Sequence, residues 1–213
     1  LIDFGIDPQV VLDNLEHLDR LRRLANPAAD EQTEAADYSI ASQLRARQVT
    51  HLQCTPSMAR ILASDADSLA ALRGLDRLML GGEALPVDLV QQLLPAVGGE
   101  ILNMYGPTET TIWSTTAPVR AGDAVTIGRP IANTTIRILD ARNQLVPVGV
   151  PGELCIGGLG VVRGYLGRPD LTAERFIPDP FYATGRLYRT GDLCRYRETG
   201  DIEFLGRLDH QVK

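Results

Sequence analysis

The sequence predicts an α/β protein in which a helix-covered, mostly parallel sheet is followed by a β-rich subdomain resembling a distorted barrel. Two observations predict this division. Between residues 38 and 126, apolar runs of strand length alternate with segments of helical periodicity, which is typical of a parallel sheet covered by helices. Between residues 127 and 206, apolar residues recur at every second position and are punctuated by Gly and Pro, which indicates strands joined by turns.

Six elements are predicted in the first of these zones. Two of its helices begin with a proline in the first turn, where the missing N–H costs nothing. In chain order the elements are a helix over 38–47, a strand over 49–54, a helix over 56–63, a strand over 75–80, a helix over 86–94 and a strand over 100–104. Ligands of parallel sheets bind at the carboxyl ends of the strands, so the chemistry is expected near those ends.

The first 37 residues are predicted to form a separate helix and linker. Val11, Leu15, Leu18 and Leu21 recur at spacings of four and three, which predicts an amphipathic helix. Residues 25–37 hold only small, polar and charged side chains, a composition that favours a linker.

Composition excludes several classes of function. The 213 residues carry 21 Lys+Arg and 27 Asp+Glu, a net charge of −6 without a basic patch, so no nucleic-acid partner is expected. No apolar run approaches the ~18 residues of a membrane span, so we expect no membrane partner and a cytoplasmic location. Cys54, Cys155 and Cys194 stand far apart and are expected to be buried or half-buried thiols rather than a disulfide or metal set. Lys213 is the only lysine.

The segment 103–111, Asn-Met-Tyr-Gly-Pro-Thr-Glu-Thr-Thr, directly follows a predicted strand. Its Gly-Pro turn brings the aromatic ring of Tyr105, the hydroxyl of Thr108 and the carboxylate of Glu109 within one turn of chain. A ring, a phosphate donor and a metal ligand at this place suggest a nucleotide site. The alternative is an ordinary turn followed by a first-turn helix charge at Glu109.

Residues 105–109 resemble the YGPTE signature of the acyl-adenylate-forming superfamily, and specifically of the adenylation domains of nonribosomal peptide synthetases. Three further segments agree in order and spacing, although Val162 replaces the usual Ala of one motif. They are the GGE turn at 80–85, the GEL-to-RGYL segment at 152–166, and YRTGDL at 188–193 with the hinge motif at 206–213. The resemblance covers about residues 38–213. Within it, 38–126 is the α/β part, 127–206 the β-rich subdomain and 207–213 the hinge.

This resemblance implies an ATP-dependent ligase reaction. A substrate carboxylate attacks the α-phosphate of ATP, and the resulting acyl-adenylate is transferred to the phosphopantetheine thiol of a carrier-protein domain. Charge develops on phosphate oxygens, so the enzyme works by positioning and neutralisation rather than by proton transfer. The implied cofactors are ATP and Mg²⁺.

The resemblance also assigns roles on the nucleotide side. Tyr105 would stack on adenine, Thr108 would donate to the α-phosphate and Glu109 would bind Mg²⁺. Asp192 would accept the ribose hydroxyls. The opposite wall would be the backbone of Gly82, Glu83 and Ala84.

Arg207 would also contact the nucleotide, Asp209 would be the hinge, and Lys213 would lie just beyond it. The alternatives for these residues are structural. Asp192 could merely cap a turn, and Arg207 could pair with any surface acid.

By the same resemblance, six residues would surround the side chain of the amino acid substrate. They are Gln53, Met79, Gly81, Met104, Ile112 and Trp113. Long Gln, Met and Trp side chains would leave little room, which favours a small amino acid and glycine in particular. The alternative is that Met79, Met104 and Ile112 are ordinary core residues.

Several family parts are expected from outside residues 1–213. They include the phosphate-binding loop, the aspartate that binds the substrate amino group and the subdomain with the catalytic lysine, so this segment alone is expected to be inactive. Residues 1–37 resemble the tail of a luciferase-like monooxygenase module of the kind that interrupts some adenylation domains. Two other functions stay open, an acyl-CoA ligase and a non-catalytic scaffold.

Overall fold

The computed structural model describes residues 2–3, 39–182 and 184–208. The predicted N-terminal helix, the linker after it and the monooxygenase resemblance therefore lie outside the described residues, except for residues 2–3, which form a short strand, Ile2–Asp3 (β1). The hinge residue Asp209 and Lys213 also lie outside them. These remain predictions.

Five strands form the first sheet. Their bounds are His51–Cys54 (β2), Arg77–Gly81 (β3), Glu100–Tyr105 (β4), Thr115–Pro118 (β5) and Arg129–Pro130 (β6), and they lie side by side in this order. β2, β3 and β4 are parallel, whereas β5 and β6 are antiparallel to their neighbours. The predicted mostly parallel arrangement is confirmed for β2, β3 and β4. The antiparallel strands β5 and β6 were not predicted, and β6 extends this sheet past residue 126.

Four α-helices lie between and around these strands. Their bounds are Ile40–Ala46 (α1), Pro56–Ser64 (α2), Ala66–Ala71 (α3) and Val87–Leu93 (α4), with a short 3₁₀ turn at Leu72–Gly74. α2 begins where predicted because Thr55 caps its N-terminus and Pro56 supplies the preset φ angle. α3, which starts at the side-chain cap of Asp65, was not predicted from the sequence. Leu78 and Leu80 of β3 are fully buried in the core between the sheet and the helices.

The second sheet is antiparallel. Its strands are Thr134–Leu139 (β7), Gly152–Gly158 (β8), Phe176–Pro178 (β10), Arg186–Tyr196 (β11) and Ile202–Arg207 (β12). They follow the spatial order β10-β11-β8-β7, with β12 also paired to β11. A helix at Pro169–Arg175 (α5) precedes β10, and β1 pairs with Gly164–Tyr165 (β9). The predicted β-rich subdomain is confirmed as an antiparallel sheet.

The two sheets meet at the end of β4. Tyr105, its last residue, packs into the second core with Ile136, Ile156 and Ile202 rather than into the first. Backbone hydrogen bonds of 2.9 Å from Ile127 N–H to the Ile202 carbonyl, and of 2.8 Å from Ile202 N–H to the Gly128 carbonyl, join the sheets. The motif that follows β4 therefore lies at the junction of the two sheets.

The three cysteines are free thiols, half-buried at Cys54 and buried at Cys155 and Cys194, as expected. Burial raises the pKa of Cys54 to about 11 and that of Cys155 to about 12, which makes both poor nucleophiles. Among the residues that the structure describes, no helix is long and apolar enough to span a membrane.

Candidate functional site

The residue expected at adenine and the residue expected at ribose are in direct contact. Tyr105 donates its hydroxyl hydrogen to Oδ2 of Asp192, 87 residues away along the chain. Tyr105 is 7% exposed and Asp192 is 2% exposed. Burial, followed by the charge of Asp192, raises the pKa of Tyr105 well above its usual value, so the phenol remains a donor.

Arg207 completes this cluster from the last position of β12. Its Nη1 donates to Oδ1 of Asp192 at 2.9 Å, and the two residues are also strand partners. The Arg207 and Asp192 side chains are 17% and 3% exposed, so the ion pair is largely shielded from water. Arg207 therefore pairs with the buried Asp192 of the candidate nucleotide site rather than with a surface acid.

Glu109 lies on the short 3₁₀ turn Thr108–Thr110 that follows β4. Tyr165 donates its hydroxyl hydrogen to Oε1 of Glu109 at 2.7 Å. Burial, then this bond, raises the pKa of Tyr165 to about 12, and burial together with Tyr165 and Glu109 also raises that of Tyr188. Thus residues from two of the recognised motifs contact the carboxylate of a third.

The single carboxylate of Glu109 suits a magnesium site. Among the described residues, no group of three or more His, Cys, Asp or Glu side chains could hold an ion. A site with a single carboxylate fits Mg²⁺, which retains waters and takes its other ligands from phosphates.

The turn around Glu109 is held by the loop after β8. Val162 N–H donates to the Glu109 carbonyl at 3.0 Å, and the Thr111 hydroxyl donates to the Gly160 carbonyl at 2.7 Å. A Cβ at Gly160 would lie only 2.7 Å from the Thr110 carbonyl oxygen. The glycines of this loop therefore permit backbone contact between the two sheets, and they follow β8 as a turn.

Two consecutive β-branched residues in this turn have left-handed backbone conformations, Thr111 with φ of 63° and Ile112 with φ of 70°. Such angles are rare for β-branched residues and are found where surrounding contacts enforce them. The strained pair reverses the chain direction and brings Trp113 back towards β3.

The GGE turn after β3 is fixed through the Glu83 side chain. Its Oε2 accepts hydrogen bonds from the Ser57 hydroxyl at 2.6 Å and the Ser57 N–H at 3.0 Å. Gly82 has a φ of 87°, which favours glycine. The backbone of the turn, including the exposed Ala84, is therefore available for the wall of the adenine site that the resemblance implies.

Four of the six expected pocket residues share one face of the first sheet. Gln53 is the strand partner of Met79, and Gly81 is the partner of Met104. Met79 and Gly81 are two residues apart on β3, so all four lie on the same face. The residues between them, such as Leu80, point to the opposite, helix-covered face.

Trp113 lies against this face at Gly81. A Cβ at position 81 would be 2.5 Å from one carbon of the indole ring and 2.6 Å from another. The indole N–H donates to Oε1 of Gln53 at 3.3 Å. Ile112 is 56% exposed, so the structure does not make it an ordinary core residue.

The structure thus brings Tyr105, Asp192 and Arg207 together, and it groups Gln53, Gly81 and Trp113. Adenine stacking, phosphate binding by the exposed Thr108, metal binding and the substrate contacts remain predictions. The sequence analysis gave no role to Tyr165, Ser57 or Glu153. Tyr165 and Glu153 lie inside a recognised motif, which was the signal available for them.

A Tyr–carboxylate–Arg cluster at the end of β4, with a second carboxylate on the Gly-Pro turn that follows, is the arrangement expected from the resemblance to adenylate-forming enzymes. The chain matches the family described as AMP-binding enzyme over residues 28–166. It belongs to that family, and within it to the adenylation domains of nonribosomal peptide synthetases.

Curated relatives support this assignment. The chain is 47% identical over 174 residues to tyrocidine synthase 3 of Brevibacillus parabrevis, a match that covers 80% of this chain and 3% of the relative. It is 48% identical over 149 residues to surfactin synthase subunit 1 of Bacillus subtilis, which covers 68% of this chain and 4% of the relative. The chain therefore spans only a few per cent of these synthetases.

Solved structures share the fold. PA1221, a synthetase protein with adenylation and carrier domains, superposes with a TM-score of 0.75 at 32% identity, over 81% of this chain and 36% of that one. Holo-AB3403, a four-domain synthetase bound to AMP and glycine, superposes with a TM-score of 0.73 at 41% identity, over 82% of this chain and 13% of that one.

Proposed function

We propose that the native protein containing this chain uses ATP to activate a small amino acid, with glycine as the preferred substrate. The products are aminoacyl-AMP and pyrophosphate. The protein then loads the aminoacyl group onto the phosphopantetheine thiol of a carrier-protein domain. The single observation that carries the proposal is the contact of Tyr105 and Arg207 with Asp192, because it gathers three nucleotide-binding candidates at one point.

In the proposal, Asp192 accepts hydrogen bonds from the ribose hydroxyls. A carboxylate can accept several hydrogen bonds at once, and Tyr105 and Arg207 each donate one to Asp192. The low exposure of Asp192 makes such charge-assisted hydrogen bonds stronger than in water.

Glu109 and Thr108 would act at the phosphates. Mg²⁺, when bound, neutralises charge on the phosphate oxygens. Tyr165 holds Oε1 of Glu109 by a hydrogen bond of 2.7 Å, and in the proposal this carboxylate binds the ion. Thr108 is exposed at the start of the same turn, where its hydroxyl would donate to the α-phosphate.

The preference for a small substrate is supported by the position of Trp113. Its ring covers Gly81 and is tied to Gln53, so the space above the ends of β2 and β3 is filled by the indole. Met79 and Met104 flank this space on the same sheet face. The similar synthetase AB3403, whose structure contains AMP and glycine, adds support for glycine.

Other segments would have to complete this activity. In the proposal, the remaining adenylation-domain segments supply the phosphate-binding loop, the amine-binding aspartate and the catalytic lysine. The carrier-protein domain receives the aminoacyl group, and an upstream monooxygenase module would act on the carrier-bound product with a flavin.

Amino-acid-dependent ATP–pyrophosphate exchange by the native protein tests the proposal. We expect exchange with glycine, weaker exchange with alanine, and none with leucine or fatty acids. Exchange driven only by fatty acids would instead indicate an acyl-CoA ligase. Unchanged adenylation by Glu109→Ala would indicate a scaffold, and Glu203→Ala, which removes a partly exposed ion pair with Arg195, is the matched control.

A further inference from the structure

We propose that Glu153 is a positioning residue for nucleotide binding, because its carboxylate holds the backbone bulge that presents Asp192. The inference rests on the proposed function, in which Asp192 binds ribose. Glu153 itself would not touch the nucleotide.

The bulge lies in the middle of β11. This strand pairs with β8 up to Arg189 and again from Leu193, with a shift in register between the two. Gly191 has a φ of 72°, in the left-handed region that favours glycine. Bulges re-aim side chains, and this one presents Asp192 to Tyr105 while Asp192 stays paired with Arg207 of β12.

The Glu153 carboxylate binds the bulge at two points. Its Oε1 accepts the Gly191 N–H at 3.1 Å, and its Oε2 accepts Nε of Arg189 at 2.9 Å and Nη2 at 2.5 Å. The Glu153 side chain is 11% exposed and that of Arg189 is 35% exposed, so these charge-assisted hydrogen bonds are partly shielded from water. They also raise the pKa of the Arg189 guanidinium.

Thr190 fixes the same bulge from inside. Its hydroxyl donates to the Leu154 carbonyl at 2.7 Å and accepts the Asp192 N–H at 2.9 Å. Adjacent residues of β8, Glu153 and Leu154, therefore hold the bulge on both sides. Without Glu153, the Gly191 N–H and Arg189 lose their common partner, and the flexible glycine allows Asp192 to shift.

A purely structural role would make Glu153 one more ion pair between strands. The chain offers a matched control for that alternative. Arg195 lies on the same strand β11 and pairs with Glu203 of β12 at 2.8 Å. Glu203 is also the strand partner of Arg195 and lies beyond the bulge, on the side away from Gly191. Removal of the Glu203 carboxylate therefore breaks an ion pair but leaves the contacts of the bulge intact.

The experiment measures the ATP Kd by calorimetry in the native protein and in the variants Glu153→Ala, Glu153→Gln and Glu203→Ala. Amino acid KM and melting temperature are measured in parallel. We expect Glu153→Ala to raise the ATP Kd about tenfold, because small misplacements of a binding group are costly. The ATP Kd of Glu153→Gln should lie between those of Glu153→Ala and wild type, because the amide has one carbonyl oxygen to accept hydrogen bonds from two partners. The ATP Kd of Glu203→Ala, and the amino acid KM of each variant, should stay within about twofold of the wild-type values.

An unchanged ATP Kd in folded Glu153→Ala, or an equal loss in Glu203→Ala, would overturn the inference. If Glu153→Ala does not fold, Glu153→Gln decides, and a wild-type Kd there overturns it too. A wild-type protein that binds ATP but shows no pyrophosphate exchange refutes the proposed function, while the comparison of Kd values still tests Glu153. Failure of the wild-type protein to bind ATP refutes both.

Discussion

Tyr105 and Asp192 form a buried hydrogen bond that joins the last residue of β4 to the bulge of β11. This bond connects the two sheets of the molecule through the two side chains expected to contact adenine and ribose. The geometry of the candidate nucleotide site therefore depends on the packing between the sheets.

Removal of the Tyr105 hydroxyl tests this connection. Tyr105→Phe retains the ring but leaves Asp192 with one hydrogen-bond donor fewer, and a buried hydrogen bond to a charged group contributes about 1.5–3 kcal/mol. We expect a lower free energy of unfolding by that order and a higher ATP KM. Denaturant unfolding and exchange kinetics measure both, and Tyr182→Phe, at an exposed tyrosine, is the control. A variant indistinguishable from wild type in both measurements would contradict the assigned role.

The sequence predicted the three parallel strands of the first sheet because their signals are local, whereas the antiparallel strands β5 and β6 were not predicted. Pro56 and the period of apolar residues mark α2 and its flanking strands within a few residues. The Asp65 cap of α3 is an equally local signal, but the preceding helix runs directly into it and hides the boundary.

The contacts between motifs could not be predicted in the same way. Tyr165 and Glu109 are 56 residues apart, and nothing in either segment specifies that the hydroxyl meets that carboxylate. The position of Trp113 depends on the left-handed conformations of Thr111 and Ile112, which β-branched residues disfavour. Such geometry results from packing between the sheets rather than from local preference.

The small substrate pocket predicts a change of specificity in Trp113→Ala. Removal of the indole uncovers Gly81 and frees Gln53, so space opens above the sheet. We expect weaker glycine exchange and measurable exchange with leucine, a shift in relative kcat/KM of roughly 1–3 kcal/mol. Unchanged selectivity among glycine, alanine and leucine would show that Trp113 does not limit the pocket.

Because Gly160 contacts the Glu109 turn, we expect an alanine at position 160 to be more harmful than an alanine at an open glycine position. Gly160→Ala places a Cβ 2.7 Å from the Thr110 carbonyl oxygen, so the turn or the loop must move. We expect reduced exchange and a destabilisation of about 1–3 kcal/mol. Gly74→Ala is the matched control, since a Cβ there meets no atom within 4 Å. Equal effects of the two substitutions would contradict the account.

The tyrosine bound to Glu109 predicts an alkaline limit to stability. Burial, then the bond to Glu109, raises the pKa of Tyr165 to about 12 from its usual value near 10, so the stability contributed by the protonated phenol is fully present below pH ~10 and is lost as the pH approaches 12. We expect the difference in melting temperature between wild type and Tyr165→Phe to shrink over that range. A difference that stays constant from about pH 8 to 12 would argue against the bond.

The convergence of Tyr105, Asp192 and Arg207 on one nucleotide is tested most directly by the ATP Kd of Asp192→Asn in the native protein. The variant keeps the shape of the side chain but removes its charge, and we expect the Kd to rise about tenfold or more, in line with a lost charged hydrogen bond. Asp201→Asn, at an acid paired with Arg129 away from this cluster, should bind ATP as wild type does. Equal ATP affinity of wild type and Asp192→Asn would contradict the account.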